Sequence, residues 1–354
     1  MLLVLNTGSS SLKLAVFNAA LDLVVDGNVS GVGGKGRMAL GEAKTDVTTG
    51  NHGEALDCLL KGLGARGIAL SDITGAAHRV VHGGRRLTAP MRITPEALAQ
   101  IKAMVPLAPL HNPPALAGIA AVTAKLPNLA QFASFDTAFH AAQPDVATAY
   151  ALPRAQRDAG IRRYGFHGLS YAGMVRQFGD KLPRRLLALH LGAGVSLCAI
   201  KDGRSIATSM GYSPLSGPTM ATRTGDIDGM AVLRIAQELG FDAATELLNK
   251  QSGLLGLSGI TADMRALLCD PSPDAAFAVE HFVYSVVHQA GGLIAALEGV
   301  DAIAFTGGIG ENSAPIRERI MAKLAWLGDL PVHIIPADEE RQIAIDATSV
   351  LQAP

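Results

Sequence analysis

Apolar and polar residues follow one another in short blocks along this chain, and the blocks outline an α/β protein. LLVL at residues 2–5 and LAVF at 14–17 predict two strands around a polar turn. That turn holds Asn6, Thr7, Gly8, Ser9, Ser10, Ser11 and Lys13. Residues 23–29 read as a third strand, and the glycine-rich stretch 27–36 as a loop. Asn51 is placed to cap a helix over residues 53–63, with Leu56, Leu59, Leu60 and Leu63 on one face. Residues 75–81 (GAAHRVV) and 131–135 are short buried strands, the second ending at Asp136. Thr94-Pro95-Glu96 is a helix start, with a cap and a proline in the first turn. Four prolines in residues 105–114 (VPLAPLHNPP) predict a rigid loop that fixes Leu110, His111 and Asn112, followed by a helix to about residue 126. Residues 208–228 form a long polar stretch with Arg223 near its end, and loops this long are usually functional or mobile. A helix spans about 274–297, with His281 and His288 on nearly one face as packing residues. Residues 301–312 (DAIAFTGGIGEN) give a strand, a glycine turn and a helix start, and residues 332–335 a last strand before a terminal helix.

The first block returns 184 residues later as LLALHLGAGVSLCAIKD, residues 186–202. Leu2 aligns with Leu186, Leu3 with Leu187, Leu5 with Leu189, Gly8 with Gly192 and Ala15 with Ala199. Two strand–glycine turn–strand units heading two halves imply a duplicated fold, with a site between the halves. Serine hydroxyls, turn N–H groups and Lys13 suit a polyphosphate chain, and Asn6 at a strand end could orient a metal-bound water.

At 354 residues the chain has length for two domains, each with its own core. Lys+Arg number 30 against Asp+Glu 31, so no charge field points to nucleic acid or a membrane surface. No apolar run is long enough to span a bilayer, and the first strand reaches Asn6 too soon for a signal peptide, which predicts a cytoplasmic protein. Cys58, Cys198 and Cys269 lie far apart without ligand spacing and are expected to be reduced and structural.

Several residues carry candidate chemistry. Arg79 sits inside an apolar run and needs an anionic partner, either an internal carboxylate or a ligand. Asp136 ends a buried strand, where acidic residues often face the ligand crevice of α/β folds. His167, between glycines before a helix, could donate to a phosphate or cap that helix. The glycines of 307–310 let a backbone approach a nucleotide.

Taken in order, LLVLNTGSSSLK, AHRVVHGG, PLAPLHNPP, FDTAFH, RRYGFHGLSY, HLGAG, MGYSPLSGPTMATRTGDID, SGLLGLSG, FTGGIGENS and IPADEE resemble the acetokinase family over nearly the whole chain. The resemblance implies the fold of actin, sugar kinases and heat-shock ATPases: two duplicated α/β domains with an active-site cleft between them. The domains are expected at 1–136 plus 340–354, on the carboxylate and metal side, and at 137–339, on the nucleotide side. It implies ATP-dependent, reversible phosphorylation of acetate to acetyl phosphate, with Mg2+ (or Mn2+), ATP/ADP as substrate, and a homodimer. Propionate or butyrate kinase, a nucleotide-binding homologue without catalysis, and an ATPase with no carboxylate partner are the alternatives.

Residue by residue, Asn6 and Glu339 match the family's metal-site positions. Arg79 and Arg223 match the two arginines that hold the carboxylate and the moving phosphoryl, and Asp136 and His167 the catalytic pair. His111 matches a further active-site histidine, while Val81, Leu110, Phe166 and Pro214 match the pocket for the acetate methyl. Asp263, Arg265 and the glycines Gly307, Gly308 and Gly310 match the adenosine side. Ser10, Lys13, His190, Gly192, Ala193 and Gly194 complete the expected nucleotide-binding set. Two departures stand out. The family usually has Asn where this chain has Ala193, which removes an amide donor near the phosphates. The chain is also shorter than most members, within 21–71 and 268–300.

Overall fold

The structure, a computed structural model, describes residues 1–352. Ala353 and Pro354, the end of the range expected for the first domain, lie outside the described residues. The chain forms two compact units: unit 1 is 1–138 with the chain from Asp338 onward, and unit 2 is 139–337.

In unit 1 the strands are β1 (Leu2–Gly8), β2 (Ser11–Phe17), β3 (Leu23–Ser30), β4 (Gly34–Leu40), β5 (Ala43–Thr49), β6 (Gly75–Val80), β7 (Met91–Arg92) and β8 (Gln131–Phe135). Its helices are α1 (His52–Ala65), α2 (Pro95–Ala103) and α3 (Asn112–Lys125), with the terminal helix named below. Unit 2 carries α4 (Asp145–Thr148), α5 (Arg154–Asp158) and α6 (Gly168–Phe178), then β9 (Arg185–Leu191), β10 (Val195–Lys201) and β11 (Arg204–Thr208). There follow α7 (Gly229–Leu239), α8 (Phe241–Lys250), α9 (Gly253–Ser258), α10 (Met264–Cys269) and α11 (Pro273–Ala296). The unit ends with β12 (Ala302–Thr306), α12 (Gly307–Asn312), α13 (Ala314–Lys323) and β13 (Val332–Ile334). Helix α14 (Glu339–Gln352) returns the chain to unit 1, where it packs on β1, β6 and β8.

The repeat seen in the sequence is a repeat of topology. The first sheet runs β5-β4-β3-β2-β1-β6-β8-β7 and the second β11-β10-β9-β12-β13. In each, a hairpin's first strand pairs in parallel with a later strand, which pairs in parallel with the next. The hairpins differ by one residue of register. Leu2 pairs with Phe17, but Leu186 pairs with Ile200 rather than Lys201. The first turn is therefore Ser9-Ser10 alone, and the second opens to Gly192, Ala193 and Gly194.

This corrects the expected long polar turn of the first hairpin. Asn6, Thr7, Gly8, Ser11 and Lys13 all lie in the ladder, with Asn6 opposite Lys13. Thr7 is buried because α3 passes close over it: a Cβ on Gly118 would come 2.4 Å from its Oγ1. The glycine-rich stretch is likewise not one loop. Gly34 and Gly36 belong to β4, and a Cβ on Gly36 would sit 1.8 Å from the Ser30 carbonyl oxygen, so close backbone approach accounts for the glycine there. The loop expected at 105–114 is shorter. Pro113 and Pro114 stand in the first turn of α3, where a missing N–H costs nothing. Of the two packing histidines on α11, His281 bonds through Nδ1 to Thr219 Oγ1 at 2.9 Å. His288 is exposed and stacks on Tyr284 instead.

Cores follow the strand period. In unit 1, Leu12, Leu14 and Val16 of β2 face Leu56, Leu59 and Leu63 of α1, each worth about 1.5–3 kcal/mol when fully buried. In unit 2, Leu186, Ala188, Cys198 and Ile200 face Tyr171 and Met174 of α6. The alternate residues Leu187, Leu189, Leu197 and Ala199 are equally buried, which fits strands covered on both faces.

Two buried imidazoles make this fold sensitive to acid. His78 Nε2 donates to Gln131 Oε1 at 2.8 Å, and burial lowers its pKa to about 4 against that bond. His140 Nε2 donates to the Phe166 carbonyl at 2.9 Å, and burial lowers it to about 4 as well. The unfolded rings titrate near 6.5, so between pH 6.5 and 4 the unfolded chain binds more protons. Stability from both rings is complete above pH 6.5 and declines as pH falls toward 4. Urea unfolding at pH 7.5 and pH 5 is expected to show a loss of about 2 kcal/mol for each ring at the lower pH. Equal stability at the two values would mean that the folded rings take up protons at the same pH as the unfolded ones.

Candidate active site

Unit 1 gathers three of the expected residues into one buried ion cluster. Arg79, near the end of β6, donates from Nε to Asp136 Oδ1 at 3.0 Å and from the terminal NH2 to Oδ2 at 2.6 Å. Its other terminal nitrogen, NH1, meets Glu339 Oε2 at 3.2 Å. The side chains of Arg79, Asp136 and Glu339 are 18%, 2% and 14% exposed. β6 and β8 are parallel neighbours, so Arg79 and Asp136 leave the same sheet edge, and the first turn of α14 brings Glu339 to the same guanidinium. Arg79 thus resolves to an internal ion pair in this structure. Burial opposes its charge, and the two carboxylates outweigh burial and hold it protonated. Burial pushes the Asp136 carboxyl up while Arg79 pulls it back.

The segment after β6 is fixed by Asn112, which the sequence marks only as a loop residue. Asn112 Nδ2 donates to the His82 carbonyl at 3.0 Å, and His82 N–H donates to Asn112 Oδ1 at 3.1 Å. His111 precedes it at the start of α3 and makes no side-chain cap bond. Val81 is half-buried and Leu110 exposed. Lys13 is exposed on β2, Ser10 lies in the turn, and Asn6 is half-buried on β1.

Unit 2 gathers the second constellation around the 192–194 turn. A Cβ on Gly194 would lie 3.1 Å from His167 Nε2 and 3.5 Å from Arg223 NH1. A Cβ on Gly192 would lie 3.6 Å from His190 Nε2 and 3.9 Å from the Gly308 backbone nitrogen. Four nitrogen groups therefore line two glycines that leave them room. Donors of this kind around a glycine turn suit phosphate oxygens. Ala193 is exposed, and its carbonyl accepts from Ala221 N–H at 3.2 Å.

Each donor in unit 2 has a support. His167 takes a left-handed backbone, with φ of 58°, at the start of α6 and does not cap it. Its Nδ1 lies 2.9 Å from Ser196 Oγ, and its ring stacks on His190 at 4.0 Å. His190 Nδ1 lies 2.9 Å from Ser170 Oγ. Arg223 NH1 donates to the Pro214 carbonyl at 2.9 Å. The long loop that carries both is anchored: Arg163 donates to the Ser209 and Met210 carbonyls, and Gly217 N–H to Asp226 Oδ1. Gly307 has φ of 78°, and a Cβ there would strike the Leu191 carbonyl oxygen at 2.8 Å, so only glycine fits beside the hairpin. Gly310 is buried on α12. Phe166 is packed inside the unit at 1% exposure. Asp263 caps α10 and pairs with the exposed Arg265 at 2.8 Å.

Ser196, Ser170 and Tyr171 support the site without having been candidates. Ser196 is a lone hydroxyl in the apolar segment VSLCAIK, while Ser170 and Tyr171 stand in the RRYGFHGLSY motif.

The ion cluster predicts a stability effect. Arg79→Ala leaves Asp136 buried without its partner, and loss of one member of a buried pair costs about 3–5 kcal/mol. The urea midpoint of the variant is expected to fall accordingly. A midpoint equal to the wild type would show that Asp136 is solvated.

The sequence matches the model of the acetokinase family over residues 1–347. It is 39% identical to an acetate kinase of Rhodopseudomonas palustris, over 100% of this chain and 92% of the relative. The crystal structure of Porphyromonas gingivalis acetate kinase matches with a TM-score of 0.91 at 32% identity, over 99% of each chain. That of a propionate kinase from Francisella tularensis matches at 0.92 and 35%, over 98% of each. With its duplicated α/β units and these matches along its length, the chain belongs to the acetokinase family.

Proposed function

We propose that this protein transfers the γ-phosphoryl group of ATP to acetate, giving acetyl phosphate and ADP, and runs the reaction in both directions. The observation that carries this is the convergence of His167 Nε2 and Arg223 NH1 on Gly194. Two donors held over a glycine turn are suited to an oxygen of a moving phosphoryl group.

The chemistry asks little proton transfer of the protein. A carboxylic acid of pKa about 4–5 is ionised at neutral pH, so the acceptor needs no general base. The obstacle is repulsion between two anions. A carboxylate oxygen attacks phosphorus in line, the bond to the β-phosphate oxygen breaks, and ADP leaves with its electron pair. Arg223 and His167 stabilise the equatorial oxygens, and His190 and the Gly308 N–H serve the phosphate chain. Arg79 holds the carboxylate, with Asp136 fixing its guanidinium. Ser10 and Lys13 assist the phosphates, and Asp263 and Arg265 the adenosine. Val81, Leu110, His111, Phe166 and Pro214 shape the acetate site. Propionate is the second reading, favoured by the 35% identity to a protein described as a propionate kinase.

Magnesium fits the residues present. Among the described residues no three His, Cys, Asp or Glu side chains cluster as a metal cage. Magnesium keeps several waters and is usually held through one or two carboxylates and the substrate phosphates, so Glu339 with Asn6 is a sufficient donor set. When bound it would neutralise charge on the β- and γ-phosphates.

We further propose a cytoplasmic homodimer. No helix of the described residues is long and apolar enough to cross a membrane, and use of ATP fits a cytoplasmic location. Helix α7 has no buried residue and leaves Met230 70% and Leu233 61% exposed, beside Phe241 at 79%. A second copy would cover that apolar face. Sedimentation is expected to show a dimer for the wild type and a monomer for Leu233→Glu; a monomeric wild type would refute the assembly.

One assay tests the activity: ATP, magnesium and a series of short carboxylates, with hydroxylamine trapping the acyl phosphate. Arg223→Ala is expected to cut turnover by a factor of about 30 to 1,000, the loss of one charge-assisted contact of about 2–4 kcal/mol. Glu339→Ala is expected to raise the magnesium requirement more than the acetate KM. Near-normal turnover in the first variant, or unchanged magnesium dependence in the second, would remove that residue from its role.

A further inference from the structure

The ring of His167 joins a hydrogen-bond chain whose donor sense can be counted. The Tyr171 hydroxyl lies 2.6 Å from Ser196 Oγ. Ser196 Oγ lies 2.9 Å from His167 Nδ1. Tyr171 and Ser196 are both fully buried. Burial, and after it the neighbouring Cys198, hold the Tyr171 pKa well above its ordinary value, so the hydroxyl keeps its proton.

Each hydroxyl has one proton to give. Among the described residues the Tyr171 hydroxyl meets no further acceptor, so its proton goes to Ser196 Oγ. The Ser196 proton is then directed to Nδ1 of His167. The opposite sense would strand a buried Tyr171 proton without an acceptor, which native interiors avoid.

We propose that Tyr171 and Ser196 are positioning residues that set His167 in the neutral Nε2–H tautomer, aiming one donor across the 192–194 turn; this rests on His167 serving the phosphoryl transfer proposed above. The stacked ring of His190 at 4.0 Å agrees, because two imidazolium ions face to face would repel. His167 then contributes direction and Arg223 contributes charge. An imidazole donor also stays in place when the phosphoryl group has left, because Ser196 rather than the ligand orients it.

The test is the nitrogen spectrum of the substrate-free protein with 15N-labelled histidine, its His167 signals identified by their loss in His167→Gln. The expected result is a bare Nδ1 and a protonated Nε2 near neutral pH. Ser196→Ala is expected to mix the tautomers and to lower kcat about ten- to a hundredfold, with the ATP KM within about twofold. Ser196→Thr restores the hydroxyl and is expected to recover most of both properties. Tyr171→Phe leaves Ser196 in place and is expected to act in the same direction more weakly, which keeps the test open if Ser196→Ala does not fold. A protonated Nδ1 in the wild type, a doubly protonated ring, or a tautomer unmoved by both variants overturns the proposal. The spectrum is read without substrate, so a wild type that failed to phosphorylate any carboxylate would count against the activity alone.

Discussion

A guanidinium held between two carboxylates ties together three elements of unit 1. Arg79 leaves β6, Asp136 follows β8, and Glu339 opens α14, so one positive charge ties two parallel strands and the returning helix. The pairing is bidentate on Asp136, which fixes the plane of the group as well as its place. An arginine in this position must be satisfied before any ligand arrives, because an unpaired buried charge is costly. Two carboxylates on one guanidinium also keep the cluster from being a strongly positive anion trap.

Unit 2 solves a different problem with different material. Its nitrogen groups are two imidazoles, an arginine and a backbone N–H, and each lies beside Gly192 or Gly194. The three-residue turn of the second hairpin provides the space, and the first hairpin, tighter by one residue, does not. Duplication of a hairpin therefore produced two unlike ends: one closed on a pair of serines, the other opened around Gly192 and Gly194. The long segment before α7 has neither helix nor strand, yet carbonyl contacts to Arg163 and the Asp226 carboxylate pin it. Arg223 consequently stands on an anchored loop.

Hydroxyls buried in apolar elements recur as supports in unit 2. Ser196 and Tyr171 hold His167, and Ser170 holds His190. In a low-dielectric interior such bonds are strong and directional, and an unmade one is expensive. That is why a few small polar residues can orient rings which solvent would leave free.

Local pattern alone marked β1, β2, β3, β6, β8, β12 and β13, the helices α1, α2, α3 and α11, the repeat at 184 residues, and the caps at Asn51 and Thr94, because these depend on neighbours along the chain. The motifs likewise pointed to the acetokinase family. Tertiary structure decided what depends on contacts between distant segments. It paired Arg79 with Asp136 and Glu339, where the residues left an internal partner and a ligand equally open. It placed Asn6 and Lys13 in a ladder instead of a turn, since pairing with β2 and cover by α3 outweigh the polar composition. It began β4 within a stretch whose glycines read as a loop, because close backbone approach needs glycine in a strand too. Ser196 was silent in the sequence for the same reason: a buried hydroxyl acquires its meaning from the ring it faces, and that ring lies 29 residues away in the chain.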